Sequence, residues 1–294
     1  MTGRIVGGFG ERFEVLCEDG VRTICSVRGN LKRNTVPLVG DFVEIEGHDT
    51  YSISAVLERK NSLIRPPIAN IDKLFCVTAT CSPSPSLETL DKICCAACAK
   101  GIEPIIVINK TDLKSGEEIE AVYSRSNIKV YPVCAQNGEG IESLKAEAVG
   151  TCAFAGASGV GKSSLLNALF PELCRKVGSV SEKIQRGKHT TRTVELFAFD
   201  KGFIADTPGF GLVDFEHFDF LSLEELPSSF PEFRKYIGKC RYSSCTHTKE
   251  TECAIVEAVA NGAIAKSRHD SYVAMYNVLK DKKKYGASAH NDKF

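Results

Sequence analysis

Two hydrophobic rhythms divide the chain. Up to about residue 68, the segments "RFEVLCED", "VRTICSVRG", "DFVEIEG" and "YSISAVLER" alternate or carry β-branched residues and are broken by Gly, Asn and Pro at hairpin-like spacing. About five short strands in such a length predict a small barrel of the OB-fold type. Arg28, Lys32 and Arg33 fall between strands, in a loop that is either merely solvated or a nucleic-acid contact. "RPPIANIDK", 65–73, reads as a linker, because its two prolines oppose a regular element.

From about residue 72 strands alternate with helices. "KLFCVTAT", "EPIIVIN", "IKVYPVCA", "TCAFAGA", "VELFAFD" and "GFIADTPG" read as strands. "SLETLDKICCAACAKG", a stretch near 116–126, "GIESLKAEA" and "SSLLNALF" read as helices, the first stopped by Gly101. The alternation predicts a mostly parallel sheet covered on both faces. From about 216 the chain is irregular, with a cysteine cluster at 240–253 and two helices, about 252–266 and 267–285. The expected fold is multidomain α/β: an OB-fold β-barrel at 1–68, an alternating α/β domain at 69–216, and a mostly helical domain that holds the cysteine cluster at 217–294.

Composition narrows the functional classes. The 294 residues are 43% hydrophobic and 25% charged with a formal net charge of zero, so RNA contact must come from local patches rather than global charge. "MTGRIVGGFGERFEV" lacks a signal-like apolar stretch, and no run reaches the ~18 apolar residues of a membrane helix. A cytoplasmic protein is expected, whose 13 cysteines are thiols or metal ligands rather than disulfides.

The chemistry lies at strand ends. Gly156-Ala157-Ser158-Gly159-Val160-Gly161-Lys162-Ser163 fits G-x-x-x-x-G-K-[ST] between a strand and a helix, and Ser164 follows. Glycines let backbone N–H groups reach phosphate, Lys162 reaches the β and γ phosphates, and Ser163 offers its hydroxyl to Mg²⁺. Asp206 and Gly209 of "DTPG" suit the Mg²⁺ surroundings and the γ-phosphate. "GKHTTRT" occupies the place of a first switch, with Thr191, or Thr190 beside it, as a Mg²⁺ ligand. Asn109-Lys110-Thr111-Asp112 ends another strand. The Asp112 carboxylate can accept from guanine N1–H and the N2 amine, a donor pair adenine lacks. Lys110 would lie along the base, and Asn109 would tie this loop to the P-loop. Cys134-Ala135 stands where an S-A pair presents the alanine N–H to guanine O6; if only the backbone acts, the cysteine matters little.

The base-reading motif precedes the P-loop, a cyclic rotation of the common order. Ligands in open α/β sheets bind at strand carboxyl ends, so spatial rather than chain neighbours must be right. Phe210 follows "DTPG", where a water-positioning glutamine is common, and a phenyl ring cannot orient water. His189 is the candidate for that role, unless a partner orders the site. Cys240, Cys245, His247 and Cys253 form a Cys₃His set suited to one structural, tetrahedral Zn²⁺. Cys94, Cys95 and Cys98 share one helical pattern and read as packing residues.

These motifs, in this order, resemble the RsgA/YjeQ family of circularly permuted GTPases. "VRGNLKR" with "VGDFVEI", "RPPIANIDK", "NKTD", "GASGVGKSS", "GKHTTR", "DTPGFG", the cysteine cluster with Arg241 and Glu250, and "SRHDSY" carry the resemblance over nearly the whole chain. The resemblance implies a cytoplasmic, monomeric GTP hydrolase stimulated by the 30S ribosomal subunit in late maturation. It implies binding of 16S rRNA through the barrel and the zinc domain, and work alongside other small-subunit assembly factors. GTP, GDP, Mg²⁺ and Zn²⁺ are the implied ligands. The competing expectation is a GTP-gated rRNA-binding scaffold with incidental hydrolysis. A membrane-trafficking GTPase is disfavoured by the lack of a lipidation signal.

Overall fold

The computed structural model describes residues 1–28, 35–64, 66–172, 194–206 and 221–288. Lys32, Arg33, His189, Thr190, Thr191, Gly209 and Phe210 therefore lie outside the described residues. The chain forms two compact units. One comprises Met1–Phe75, Ile141–Ala155 and Lys162–Gly211; the other comprises Cys76–Gly140, Gly156–Gly161 and Leu212–Phe294.

In the first unit, β1 (Thr2–Phe9), β2 (Arg12–Cys17), β3 (Arg22–Val27), β4 (Phe42–Glu46) and β5 (Tyr51–Val56) close a barrel in the order β1-β2-β3-β5-β4. β3 runs parallel to β5 and β1 returns to β4, which closes the sheet and removes its edges. Sequence patterning did not single out β1, because "TGRIVGGF" does not alternate. Its register shifts between Ile5 and Gly7, and this bulge lets Ile5 and Val6 both be fully buried. Gly3 is required for close strand approach: a Cβ there would collide with the Val15 side chain and the Leu16 carbonyl. Arg28, after β3, pairs with Glu46 at 2.8 Å on the surface.

The segment expected to be a linker contains a strand. β6 (Ser62–Ile64) pairs antiparallel with β7 (Pro67–Ala69). Pro67 is tolerated because it is the first residue of its strand, where a missing N–H is least disruptive. Asparagine side chains stabilise the flanks: Asn70 Oδ1 accepts from Lys60 N (2.8 Å), and Asn61 exchanges two hydrogen bonds with the Ile71 backbone. Arg4 of β1 is 9% exposed. It donates to Gly40 O, Asn70 O and Thr151 Oγ1 (2.7 Å) between the Phe42 and Phe203 rings. Its buried guanidinium thus fastens the barrel to the strands that follow.

A six-stranded sheet runs in the order β10-β9-β8-β11-β13-β12. Its strands are β8 (Lys73–Ala79), β9 (Glu103–Asn109), β10 (Lys129–Pro132), β11 (Gly150–Gly156), β12 (Glu195–Phe199) and β13 (Gly202–Asp206). β10 is parallel to β9 and β11 to β13, whereas β12 is antiparallel to β13. Counted from β11 as first, with β8 as fourth, the spatial order becomes 6-5-4-1-3-2. The chain reverses direction across the sheet between β8 and β11.

The helices are α1 (Leu87–Ala99), α2 (Glu117–Tyr123), α3 (Ile141–Glu147), α4 (Lys162–Leu169), α5 (Ala254–Ala260) and α6 (Lys266–Ser288). Ser86 caps α1 by accepting from Thr89 N, and Gly101 follows its end with φ +68°. Cys94 and Cys95 are buried in the packed face of α1, as packing residues should be. α5 is shorter than the sequence pattern suggests, ending at Asn261-Gly262, where Gly262 takes a positive φ. The irregular segment near 227–233 supplies Phe230 and Phe233, which pack with Tyr272 and Met275 of α6 into a second hydrophobic core. No helix of the described residues is long and apolar enough to cross a membrane.

Candidate nucleotide site and metal centre

The candidate base-reading loop and the P-loop are tied together by side-chain hydrogen bonds. Asn109, the last residue of β9, is 2% exposed. Its Nδ2 donates to Val160 O (2.9 Å), and its Oδ1 accepts from Ala135 N (3.2 Å). One amide therefore joins three loops, including the two whose chain order is inverted. Lys110, at φ +65°, donates from Nζ to Gly159 O (2.8 Å) and to Ser82 O. Thr111 N donates to Val133 O, and Thr111 Oγ1 is buried without a hydrogen-bond partner among the described residues. Asp112 is exposed, and Cys134 Sγ, itself fully buried, donates to Asp112 Oδ1 (3.1 Å).

The P-loop connects β11 to α4. Gly161 has φ +95°, and a Cβ there would strike Asn109 Nδ2, so glycine is required for the tie between the loops. At Gly156 a Cβ would meet the Val77 carbonyl oxygen. Ala157 is half-buried, Ser158 and Gly159 are exposed, and Val160 is buried. Lys162 opens α4 half-buried, and burial pushes its ammonium below the usual lysine value. A phosphate anion beside it would favour the charged form and oppose that shift. Ser163 and Ser164 are exposed in the first turn of α4. Asp206 is the last residue of β13.

The metal candidates converge. The ligand atoms of Cys240, Cys245, His247 and Cys253 all lie within 4.8 Å of one another. Cys240 Sγ is 3.7 Å from Cys253 Sγ, and His247 Nδ1 lies 3.4 and 3.5 Å from those two sulfurs. A tetrahedron with arms of about 2.0–2.3 Å has edges of about 3.3–3.8 Å, so these three edges match a Zn²⁺ site, and Cys245, within 4.8 Å of the others, is placed to complete it. Burial keeps His247 below its ordinary value, which favours the neutral, ligating imidazole.

Neighbouring groups hold the ligand loop. His269 Nε2 (2.7 Å) and Tyr272 Oη (2.7 Å), both on α6, bond the carbonyls of His247 and Thr246. Burial opposes ionisation of Glu250, but hydrogen bonds from Thr246 Oγ1 and from the N–H groups of Thr246 and Lys249 prevail and hold its carboxyl at about 2. We expect one zinc per wild-type chain by metal analysis and substoichiometric zinc in Cys245→Ala. A variant that keeps full stoichiometry would place the centre elsewhere.

Comparison with known proteins gives this geometry a family. The family model of the RsgA GTPase matches residues 56–216. A small ribosomal subunit biogenesis GTPase RsgA from Caldanaerobacter subterraneus is 39% identical over 292 residues, covering 97% of each chain. The protein of the same name from Halalkalibacterium halodurans is 41% identical, covering 96% of this chain and 98% of its own. The chain belongs to the RsgA GTPase family. Its fold is also that of YjeQ from Thermotoga maritima, with a TM-score of 0.79, 35% identity, and coverage of 95% of this chain and 98% of that one. YloQ, a circularly permuted GTPase, matches with a TM-score of 0.79 and 33% identity over 96% of this chain and 95% of its own. The inverted order of NKTD and P-loop is thus a property of an RsgA GTPase and not an accident of two unrelated motifs.

One buried charge cluster of this RsgA GTPase is not legible in the sequence. Arg268 of α6, 2% exposed, donates to Asp91 Oδ1 (2.6 Å) and to both oxygens of Glu232 (2.7 and 3.1 Å). Tyr123 Oη donates to the same Asp91 oxygen (2.6 Å). Burial disfavours the Arg268 cation, but the two carboxylates outweigh it and keep it charged. No spacing rule could have announced this cluster, because its members lie far apart in the chain.

Proposed function

We propose that this GTPase hydrolyses GTP to GDP and phosphate on the 30S ribosomal subunit during late small-subunit maturation. The carrying observation is similarity over nearly the full chain to proteins named for small ribosomal subunit biogenesis. Asn109, Lys110, Thr111 and Asp112, with Cys134 and Ala135, read the guanine. Gly156 to Gly161 cradle the phosphates with their N–H groups, with Lys162 reaching the β and γ phosphates. Ser163 and Thr191 hold Mg²⁺, which neutralises charge on the phosphates, with Asp206 and Gly209 beside it. His189, or a group of the subunit, orients the attacking water. The Ala135 N–H assigned to guanine O6 is donated to Asn109 Oδ1, so base binding requires that bond to be shared or exchanged.

The division into a barrel at 1–68, a nucleotide domain at 69–216 and a zinc domain at 217–294 suits this role, with the outer two contacting 16S rRNA. The protein acts in the cytoplasm as a monomer, alongside other assembly factors. Phe210 favours a second reading, an rRNA-binding scaffold whose hydrolysis is incidental. GTP turnover with and without 30S subunits separates them. Stimulation of at least tenfold is expected, and its absence would leave the scaffold.

A further inference from the structure

A cavity of about 520 Å³ lies within the second compact unit, at the end of the sheet opposite the candidate base-reading loop. β9 begins with Glu103 in the cavity wall and ends with Asn109, so the two places are about 20 Å apart. The volume is within the ~300–1,000 Å³ of small-molecule sites. Its floor is apolar. Ile102 and Ile128, 2% and 7% exposed, immediately precede the wall residues Glu103 and Lys129, and Pro231 of the turn Pro231–Phe233 adds a ring. Cys98 of α1 contributes a thiol that burial pushes up to about 12, so it is neutral at pH 7. The mouth is polar. Lys129 pairs with Glu103 at 3.5 Å, and the last carbonyls of α1 accept from the N–H groups of Lys100, Gly101 and Ile102. The charge left over is that of Arg234. Its Nε donates to Ser228 O (2.9 Å), and its two terminal nitrogens have no hydrogen-bond partner among the described residues. The side-chain amide of exposed Asn127 has none among them either.

We propose that this cavity binds a small organic anion, separately from the P-loop: a ring or short chain rests on Ile102, Ile128 and Pro231, and a carboxylate or phosphate head takes the terminal nitrogens of Arg234. A guanidinium held at Nε offers its remaining donors as a fork, which matches two oxygens of one head group. Because Ser228 already fixes Nε, less side-chain freedom is lost on binding than for an unanchored arginine. An inorganic ion leaves the apolar floor wet and forgoes that part of the binding. A cation finds Glu103 already paired with Lys129.

The test is a ligand-observed NMR titration of the zinc-loaded full chain, with GDP and Mg²⁺ saturating so that an anion cannot register at the P-loop. The probes are phenyl phosphate, benzoate, inorganic phosphate and benzylamine. Phenyl phosphate or benzoate is expected to bind with a Kd of about 0.1–5 mM, and the tighter of the two identifies the head group. Inorganic phosphate should bind about tenfold more weakly, and benzylamine not at all. Arg234→Gln should weaken the organic anion about tenfold or more. Asn127→Asp keeps a residue that tolerates the left-handed backbone (φ +59°) and puts a carboxylate at the mouth, so it should weaken binding as well. Both residues are exposed and outside the nucleotide machinery, so wild-type GDP affinity verifies that each variant is folded. No binding of either organic anion at about 10 mM would overturn the proposal. So would wild-type affinity in either variant, or inorganic phosphate binding as tightly as phenyl phosphate.

Discussion

Arg268→Met will lower the stability of the zinc-loaded protein by about 3–5 kcal/mol, read from the urea midpoint of the unit that contains α6. The arginine is 2% exposed and neutralises two carboxylates whose side chains are 0% and 2% exposed. Methionine fills much of the volume between the Phe230 and Tyr123 rings, which flank the guanidinium at 4.7 and 5.3 Å. It leaves Asp91 and Glu232 buried without the Arg268 cation, and Asp91 Oδ2 already lacks a hydrogen-bond partner among the described residues. The penalty is that of stranded charge and not of lost contact area. Adding Asp91→Leu and Glu232→Leu to Arg268→Met should therefore recover most of the loss. A single variant within 1 kcal/mol of wild type would mean that water reaches the carboxylates. The cluster joins α1, α2, the turn before the zinc loop and α6, so local melting there should also loosen the metal centre.

Asp112→Asn will reduce GTP affinity by about 10²–10⁴-fold and raise affinity for xanthosine triphosphate. In the proposed role the aspartate offers two acceptor oxygens to two donors on guanine. Asparagine replaces one acceptor with a donor that opposes the N2 amine, while the xanthine C2 carbonyl accepts from it. Each hydrogen bond to a charged group contributes about 1.5–3 kcal/mol, and two give the stated range. Competition of each nucleotide against labelled GDP measures it. A loss under tenfold with no gain for the xanthine nucleotide would show that another group reads the base.

Legibility in the sequence followed locality. Asn109 to Asp112, Gly156 to Ser163, and the four zinc candidates are each sets of residues close in the chain, so spacing alone announces them. The parallel sheet was legible because buried strands and amphipathic helices alternate with distinct periods. β1 was not, since a bulge puts Ile5 and Val6 on the same side and glycines replace the expected alternation. β7 was not either: proline suggested a break, and a strand's first residue tolerates it.

Chain-local chemistry determined the nucleotide class, the rotated motif order and the Cys₃His set. Tertiary structure decided which groups hold those motifs in place. Asn109 reaches Val160 across 51 residues, and Arg268 reaches Asp91 across 177. Such pairings depend on where the fold brings two side chains, and no local periodicity encodes that meeting. Cys134 stands between the two cases. Its position beside Ala135 was evident from the chain, but only the folded protein places its thiol against Asp112.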